Sequence, residues 1–400
     1  MKRASPDAVQ KALPEAVRPW VTALCAAGDE LGTGIHLIGG PVRDFLLGRT
    51  TRDADLIAEP RQGQADAAAV ARRVALPGVK VVVHRRFGTV RLEAGVDSLD
   101  LATVRSETYA APGALPQVAA GSLDDDLRRR DFTVNALAVP LNTCARDGRP
   151  ALIDPGQGAE DLRARVLRTF HARSFHDDPT RALRAARLAP RLGFRLARSA
   201  RSGLRAAVRD GAFGAVKGER YRAEIEKLFA EPVLGLDPAR AAWLLHDWHV
   251  LAALEPGFSL PQEARMPLRR LGRDAVALAP DSELPLWVAG LRLWLAPLYP
   301  PLRRRVLRRL AIRGDAAKAI VGHPTERARL LRELDRARGR GALDAVVGGL
   351  PAITVRALLA EAPAPLRRRL LRWLREDRAV ALPVSGRELV AIGLSGPAVG

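Results

Sequence analysis

Between about residues 104 and 150 the sequence changes period, and that change constrains the fold more than any other feature. From about 35 to 104, short apolar runs recur between turns, at 35–38, 54–58, 79–84, 89–93 and 99–104. Runs of that length, bounded by Gly, Pro and Asp, read as strands with short helices between them. Beyond about 150 the strand signals fade, and Arg/Leu/Ala segments with apolar residues three and four apart continue to the end. That is the spacing of amphipathic helices. The stretch 109–116 reads as a loop, and Pro/Gly clusters near 255–262, 296–301 and 348–351 read as joints between helical units. A chain of 400 residues exceeds one ordinary core. The expected class is α+β: a mixed-sheet head followed by helices.

Sixty-four basic residues against 44 acidic ones leave a net charge of +20, and only six of the basic residues are lysine. An excess of forked, always-charged arginine fits a polyanion partner. An Arg- and Ala-rich chain is also what a GC-rich coding sequence yields, so charge alone leaves nucleic acid open. No stretch approaches the roughly 20 apolar residues of a bilayer span. The opening residues lack an apolar signal core, and Cys25 and Cys144 are too few for a disulfide framework. The expectation is a soluble, cytoplasmic protein with no membrane partner.

The first chemical constellation is the run Ile35-His36-Leu37-Ile38 leading into Gly39-Gly40, with Pro41 opening a helical segment. Glycine lets backbone N–H groups approach a phosphate, and a helix N-terminus adds partial positive charge. Arg43 would then reach a phosphate oxygen. The same residues also read as a tight turn with a surface arginine. Asp53-Ala54-Asp55 shifts that balance, because residues i and i+2 of a strand share a face and two carboxylates there repel unless cations neutralise them. Two hard cations, usually Mg²⁺, are the apparatus for in-line attack on a phosphate. Asp100, in another strand-like run, is a candidate third carboxylate or a polar residue at a strand edge.

Gly39-Gly40-Pro41-Val42-Arg43-Asp44-Phe45-Leu46-Leu47-Gly48, followed by Asp53-Ala54-Asp55, resembles the signature of the tRNA nucleotidyltransferase/poly(A) polymerase family, in its bacterial-type, class II branch. That family belongs to the polymerase-β-like nucleotidyltransferases. The resemblance implies a nucleotidyltransferase head at about 20–145, a helical neck at 146–235, a helical body at 236–345 and a helical, tRNA-binding tail at 346–400. It implies that Asp53 and Asp55 are catalytic and hold the metal, and that Gly39, Gly40 and Arg43 seat the triphosphate.

Arg128-Arg129-Arg130-Asp131-Phe132-Thr133-Val134-Asn135-Ala136 resembles the family's second motif. By itself, with Asp124-Asp125-Asp126 before it, the run also reads as a salt-bridged helix. The resemblance gives Arg130 the nucleotide's phosphates, and Asp131 and Asn135 the sugar and the local turn. Asp177-Asp178-Pro179-Thr180-Arg181, with Arg184 and Arg187 after it, resembles the nucleotide-recognition motif, although that motif usually opens with Glu where this chain has Asp177. Asp178 and Arg181 are helix neighbours that offer an acceptor and a forked donor. Together they match cytosine or adenine and repel guanine and uracil. Arg184 would meet phosphate. The competing reading of Asp178-Pro179 is a helix cap.

Gly218–Leu228 and two segments near the end, 385–389 and 396–400, resemble further family motifs. The arginine-rich helices expected at 302–313, 327–340 and 366–375 read either as ordinary amphipathic helices or as a surface that tracks RNA phosphates. His246-Asp247 admits a metal-dependent phosphohydrolase reading, without a second cluster to support it. The resemblance implies Mg²⁺-dependent transfer of CMP and AMP from CTP and ATP to the 3′ end of tRNA. Poly(A) polymerases and enzymes adding only A or only CC share the motifs of the head. A non-catalytic RNA-binding protein of the same fold is the alternative from another class.

Overall fold

The computed structural model describes the chain except residues 1, 3, 52, 62–64, 85–87, 109–112, 115–116, 278–284 and 380–400. The motif-like segments at 385–389 and 396–400, and most of the loop expected at 109–116, therefore lie outside the described residues. Two compact units emerge: Met1–Glu224 with Leu244–Pro256, and Ile225–Trp243 with Gly257–Gly400.

In the first unit, strands β1 (Thr33–Ile38), β2 (Asp55–Pro60), β3 (Lys80–His84), β4 (Thr89–Ala94) and β5 (Asp97–Thr103) coincide with the five apolar runs. A hairpin, β6 (Arg105–Thr108) with β7 (Gln117–Ala120), and a short strand β8 (Ala138–Pro140) follow. The main sheet has the order β3-β4-β5-β2-β1-β8, and it is mixed because β2 pairs parallel with β5 while its other pairs are antiparallel. β1 is buried along its whole length, which is why it reads as a continuous apolar run rather than an alternating one.

Ile38, Ile57 and Ala138 on one sheet face pack under Leu123 and Leu127 of the helix Leu123–Arg128. Ser122 and Asp125 close a capping box at its start, so three successive acids sit in its first turn, where the helix dipole favours them. This packing carries the residues after Arg128 onto the sheet's end.

The turn Thr133–Asn135 is pinned from behind. A Cβ on Gly158 would lie 2.3 Å from the Thr133 carbonyl oxygen, so only glycine admits that approach. Thr133 Oγ1 donates to Asp161 at 2.6 Å, and its backbone N–H donates to the Arg168 carbonyl. After residue 150 the described chain is largely helical, as its periodicity predicts.

The second unit is helical throughout its described length. The three expected arginine helices correspond to Pro300–Arg309, the C-terminal part of Gly314–Arg336, and Ala364–Arg375. Leu330, Leu334, Leu343, Val347, Leu358, Leu370 and Trp373 form a buried cluster there, while Arg304, Arg308, Arg332, Arg336, Arg368 and Arg375 are exposed. The leucine stripe makes the core and the arginines line the outside. Among the described residues no helix is long and apolar enough to cross a membrane.

Candidate active site

β1 ends at Ile38, and Gly39 then turns the chain with φ 72° and ψ −129°, a conformation that side chains disfavour. Its N–H donates to the Leu137 carbonyl at 2.9 Å, so Gly39 serves the turn rather than offering a free donor. A Cβ there would also come within 3.3 Å of Arg130 Nη1. The helix Gly40–Leu46 starts at once, with Pro41 in its first turn, as the Gly-Gly-Pro run predicts. The first N–H groups of a helix have no partner within it.

Asp55 opens β2 opposite Asp100 of β5, and neighbours in register share a sheet face. Neither the Asp53 nor the Asp55 carboxylate has a hydrogen-bond or ion-pair partner among the described residues. Burial pushes the Asp55 carboxyl up to about 6; the charge of Arg130 opposes this, while Asp53 and Asp100 add like-charge repulsion. A half-buried carboxylate with no protein partner and an exposed acid beside it is a donor set that fits a hard divalent cation. Asp100, the candidate third carboxylate, faces Arg91 instead, at 3.3 Å. Among the described residues no three acidic, His or Cys side chains form a metal cluster, and His246-Asp247 joins none.

Arg130 lies between the glycine turn and Asp55. Its Nη2 donates to the fully buried Asp126 at 2.9 Å, and its Nε is buried with no acceptor. Asp126 also takes Arg129, and Arg128 pairs with Asp124, so the salt-bridged helix expected from the charge run is real. It aims Arg130 rather than replacing its role.

Arg43 is buried, and all its bonds are internal. Nε and Nη2 fork onto Asp44 at 2.8 and 2.9 Å, and Nη1 donates to Asn135 Oδ1 at 2.6 Å. The surface arginine and the phosphate finger expected from sequence are thus a brace here. Asn135 Nδ2 donates onward to Asp131 Oδ1 at 3.0 Å, and Arg184 Nε donates to Asp131 Oδ2 at 2.7 Å. Arg187 then forks onto the buried Glu224 at 3.1 and 2.7 Å. Burial alone would raise Asp131, but the Arg184 charge and its hydrogen bonds outweigh burial and hold it at about 2. The same acid raises Arg184 further. Arg181, Arg184, Arg187 and Arg191 lie along the helix Thr180–Leu192 at spacings of three and four, which makes one basic face.

At the start of that helix, Asp178 Oδ1 accepts from the Thr180 N–H at 3.0 Å and the Thr180 hydroxyl at 2.6 Å. This is the cap that Asp178-Pro179 foreshadows, with Pro179 at the cap position and Thr180 first in the helix. Arg181 is buried and gives its terminal nitrogens to Ser174 Oγ and to the Arg129 carbonyl, so it ties the third constellation to the second. The Arg181 N–H donates to the Asp178 carbonyl at 3.0 Å, but the two side chains are not bonded to each other.

Residues 35–168 match a family model described as the poly A polymerase head domain. The CC-adding tRNA nucleotidyltransferase of Deinococcus radiodurans is 34% identical over 391 residues, covering 96% of this chain and 86% of that protein. This chain belongs to the tRNA nucleotidyltransferase family. Another family member, the A-adding tRNA nucleotidyltransferase of Aquifex aeolicus, is 44% identical over 176 residues; that match covers 44% of this chain and a fifth of that longer protein (20%). Among solved structures, a CCA-adding enzyme with CTP superposes with a TM-score of 0.71 at 26% identity, covering 100% of this chain and 92% of that one. The Thermotoga maritima CCA-adding enzyme complexed with tRNA gives 0.69 at 26% identity, covering 99% and 92%.

For a tRNA nucleotidyltransferase family member, the glycine turn, Asp53, Asp55 and Arg130 fall together at one end of the sheet. Asp44, Glu224 and Arg220 were not singled out from sequence, although all three lie inside motif-like segments. Only their contacts reveal what they do: Asp44 takes the fork of its neighbour Arg43, and the partners of Glu224 and Arg220 lie tens of residues away.

Proposed function

We propose that this protein transfers CMP and AMP from CTP and ATP to the 3′ end of tRNA without a template, in CCA addition or repair. The observation that carries this reading is the partnerless acid Asp55 beside Asp53, Arg130 and the Gly39 turn. Asp53 and Asp55 would hold Mg²⁺, which when bound lowers the pKa of a hydroxyl nucleophile and offsets charge developing on phosphate. Arg130, held by Asp126 through Nη2 and with Nη1 toward the Gly39 turn, donates to the triphosphate. Asp131, Asn135 and Arg43 keep the turn and the phosphate-side arginines in place. Arg184, carried by Asp131, adds positive charge on the same side.

Asp178 reads the base. Its Oδ1 is occupied by the cap, and its Oδ2, which has no partner among the described residues, accepts the exocyclic amine of cytosine or adenine. A carbonyl at that position meets a lone pair and is rejected. Arg181 positions the backbone at Arg129. The exposed arginines of the second unit track the tRNA backbone by charge and shape. A cytoplasmic site of action suits the two free cysteines and this substrate.

The test is incubation with tRNA lacking its 3′ end, Mg²⁺ and labelled CTP and ATP. Short, defined extension by C and A is expected, and the nucleotides added separate full CCA addition from CC or A addition alone. Long A tracts would make the protein a poly(A) polymerase. No incorporation would leave an RNA-binding protein.

A further inference from the structure

Three segments far apart in sequence meet at one guanidinium. Arg220, on the helix Gly218–Ala230, places Nη2 2.9 Å from Asp178 Oδ1 and donates from Nη1 to the Gly113 carbonyl at 3.2 Å. Gly113 belongs to the connection between β6 and β7. Its N–H donates in turn to the carbonyls of His176 and Asp177, at 3.1 and 3.2 Å, immediately before Asp178. With φ at 70°, and with an added Cβ falling 2.7 Å from Val216 Cγ2, this position admits only glycine without rearrangement. Gly113 is therefore docked, by its backbone and by Arg220, on the segment that presents Asp178.

Asp178 Oδ1 already takes two donors from Thr180, both on Asp178's own helix start. The third contact on Oδ1 comes from a different element: the Arg220 guanidinium pairs with it by charge and ties the acid to another helix. Discrimination by lone-pair repulsion requires such an anchor. A carboxylate that can rotate away from a base carbonyl no longer rejects it, whereas it can still follow an amine. The rigid fork suits Arg220 to this task, since one N–H faces the acid while the other is fixed by the Gly113 carbonyl.

We propose that Arg220 is a specificity-setting positioning residue, which anchors the Asp178 carboxylate through Oδ1 and couples it to Gly113. This rests on the nucleotide-transfer reading given above.

The experiment measures kcat/KM for CTP, ATP, UTP and GTP separately, on tRNA lacking its 3′ end, for wild type, R220A, R220K and R220Q. R220A should lower the CTP:UTP and ATP:GTP ratios by about tenfold, the scale of one charge-assisted bond. The change should come mainly from better use of UTP and GTP. R220K should recover part of the ratio, because an ammonium restores the charge but cannot span both acceptors. If R220A does not fold, R220Q, which keeps a donor and most of the stem, is read in its place. Ratios equal to wild type, with or without a lower Tm, would reduce Arg220 to a structural tie and overturn the proposal. A wild-type protein inert toward all four nucleotides would instead overturn the transfer reading and this proposal with it.

Discussion

Asn135 stands between Arg43 and Asp131, accepting from one at 2.6 Å and donating to the other at 3.0 Å. Through this amide, the arginine behind the glycine turn and the acid that carries Arg184 share one hydrogen-bonded line. Glycine turn, second motif and basic helix are thus fixed relative to one another by side chains that themselves touch no solvent-facing ligand.

Asp131 anchors that line, so Asp131→Ala leaves Arg184 and Asn135 without their acceptor. Removing one partner of a buried pair costs about 3 kcal/mol, measurable by urea unfolding. A loss under roughly 1 kcal/mol would mean that the line is redundant.

The same acid makes a pH signature. Its folded pKa of about 2 lies below the ordinary 3.8, so its contribution is present above pH 3.8 and disappears as pH falls toward 2. That contribution is about 2 kcal/mol. The stability gap between wild type and Asp131→Asn should close over this window, and a gap independent of pH would contradict the assignment.

Asp55 behaves in the opposite sense. Its folded pKa of about 6 lies above the ordinary 3.8, so ionising it costs stability as pH rises from 3.8 through 6. Without divalent cations, Asp55→Asn should be more stable than wild type at pH 8 by about 3 kcal/mol. Added Mg²⁺ should raise the Tm of wild type and leave that of the variant unchanged. Equal Mg²⁺ responses would remove Asp55 from the metal site.

Gly39→Ala combines a disfavoured backbone with a Cβ placed 3.3 Å from Arg130 Nη1. The strain costs roughly 1–3 kcal/mol, and the displaced guanidinium should raise KM for nucleotide. Wild-type KM in the variant would show that Arg130 does not depend on the turn.

Much of this arrangement is legible in the sequence. β1, β2 and β5 announce themselves as apolar runs, and Gly39-Gly40-Pro41 dictates a turn into a helix. β8 escaped notice because three buried apolar residues after Asn135 look like the tail of a motif. The β6–β7 hairpin is not legible because each strand is only four residues long, β6 polar and half-buried and β7 apolar yet exposed, with no alternation to betray it. The role of Arg43 was hidden for a different reason: its partner, Asn135, lies 92 residues away, and no local spacing encodes that bond. Asp178 was read as cap or base reader, and the cap is present on one oxygen while the other stays open. The pairing of Glu224 with Arg187 and of Arg220 with Asp178 follows only from how the neck helix lands.

The most direct test compares wild type with Asp53→Ala, measuring labelled CMP and AMP incorporation into tRNA lacking its 3′ end alongside tRNA affinity. The account predicts that incorporation disappears while affinity stays within about twofold, since the acid serves chemistry and the arginines serve binding. Incorporation that survives the substitution, or affinity that collapses with it, would contradict a metal-holding acid pair at this site.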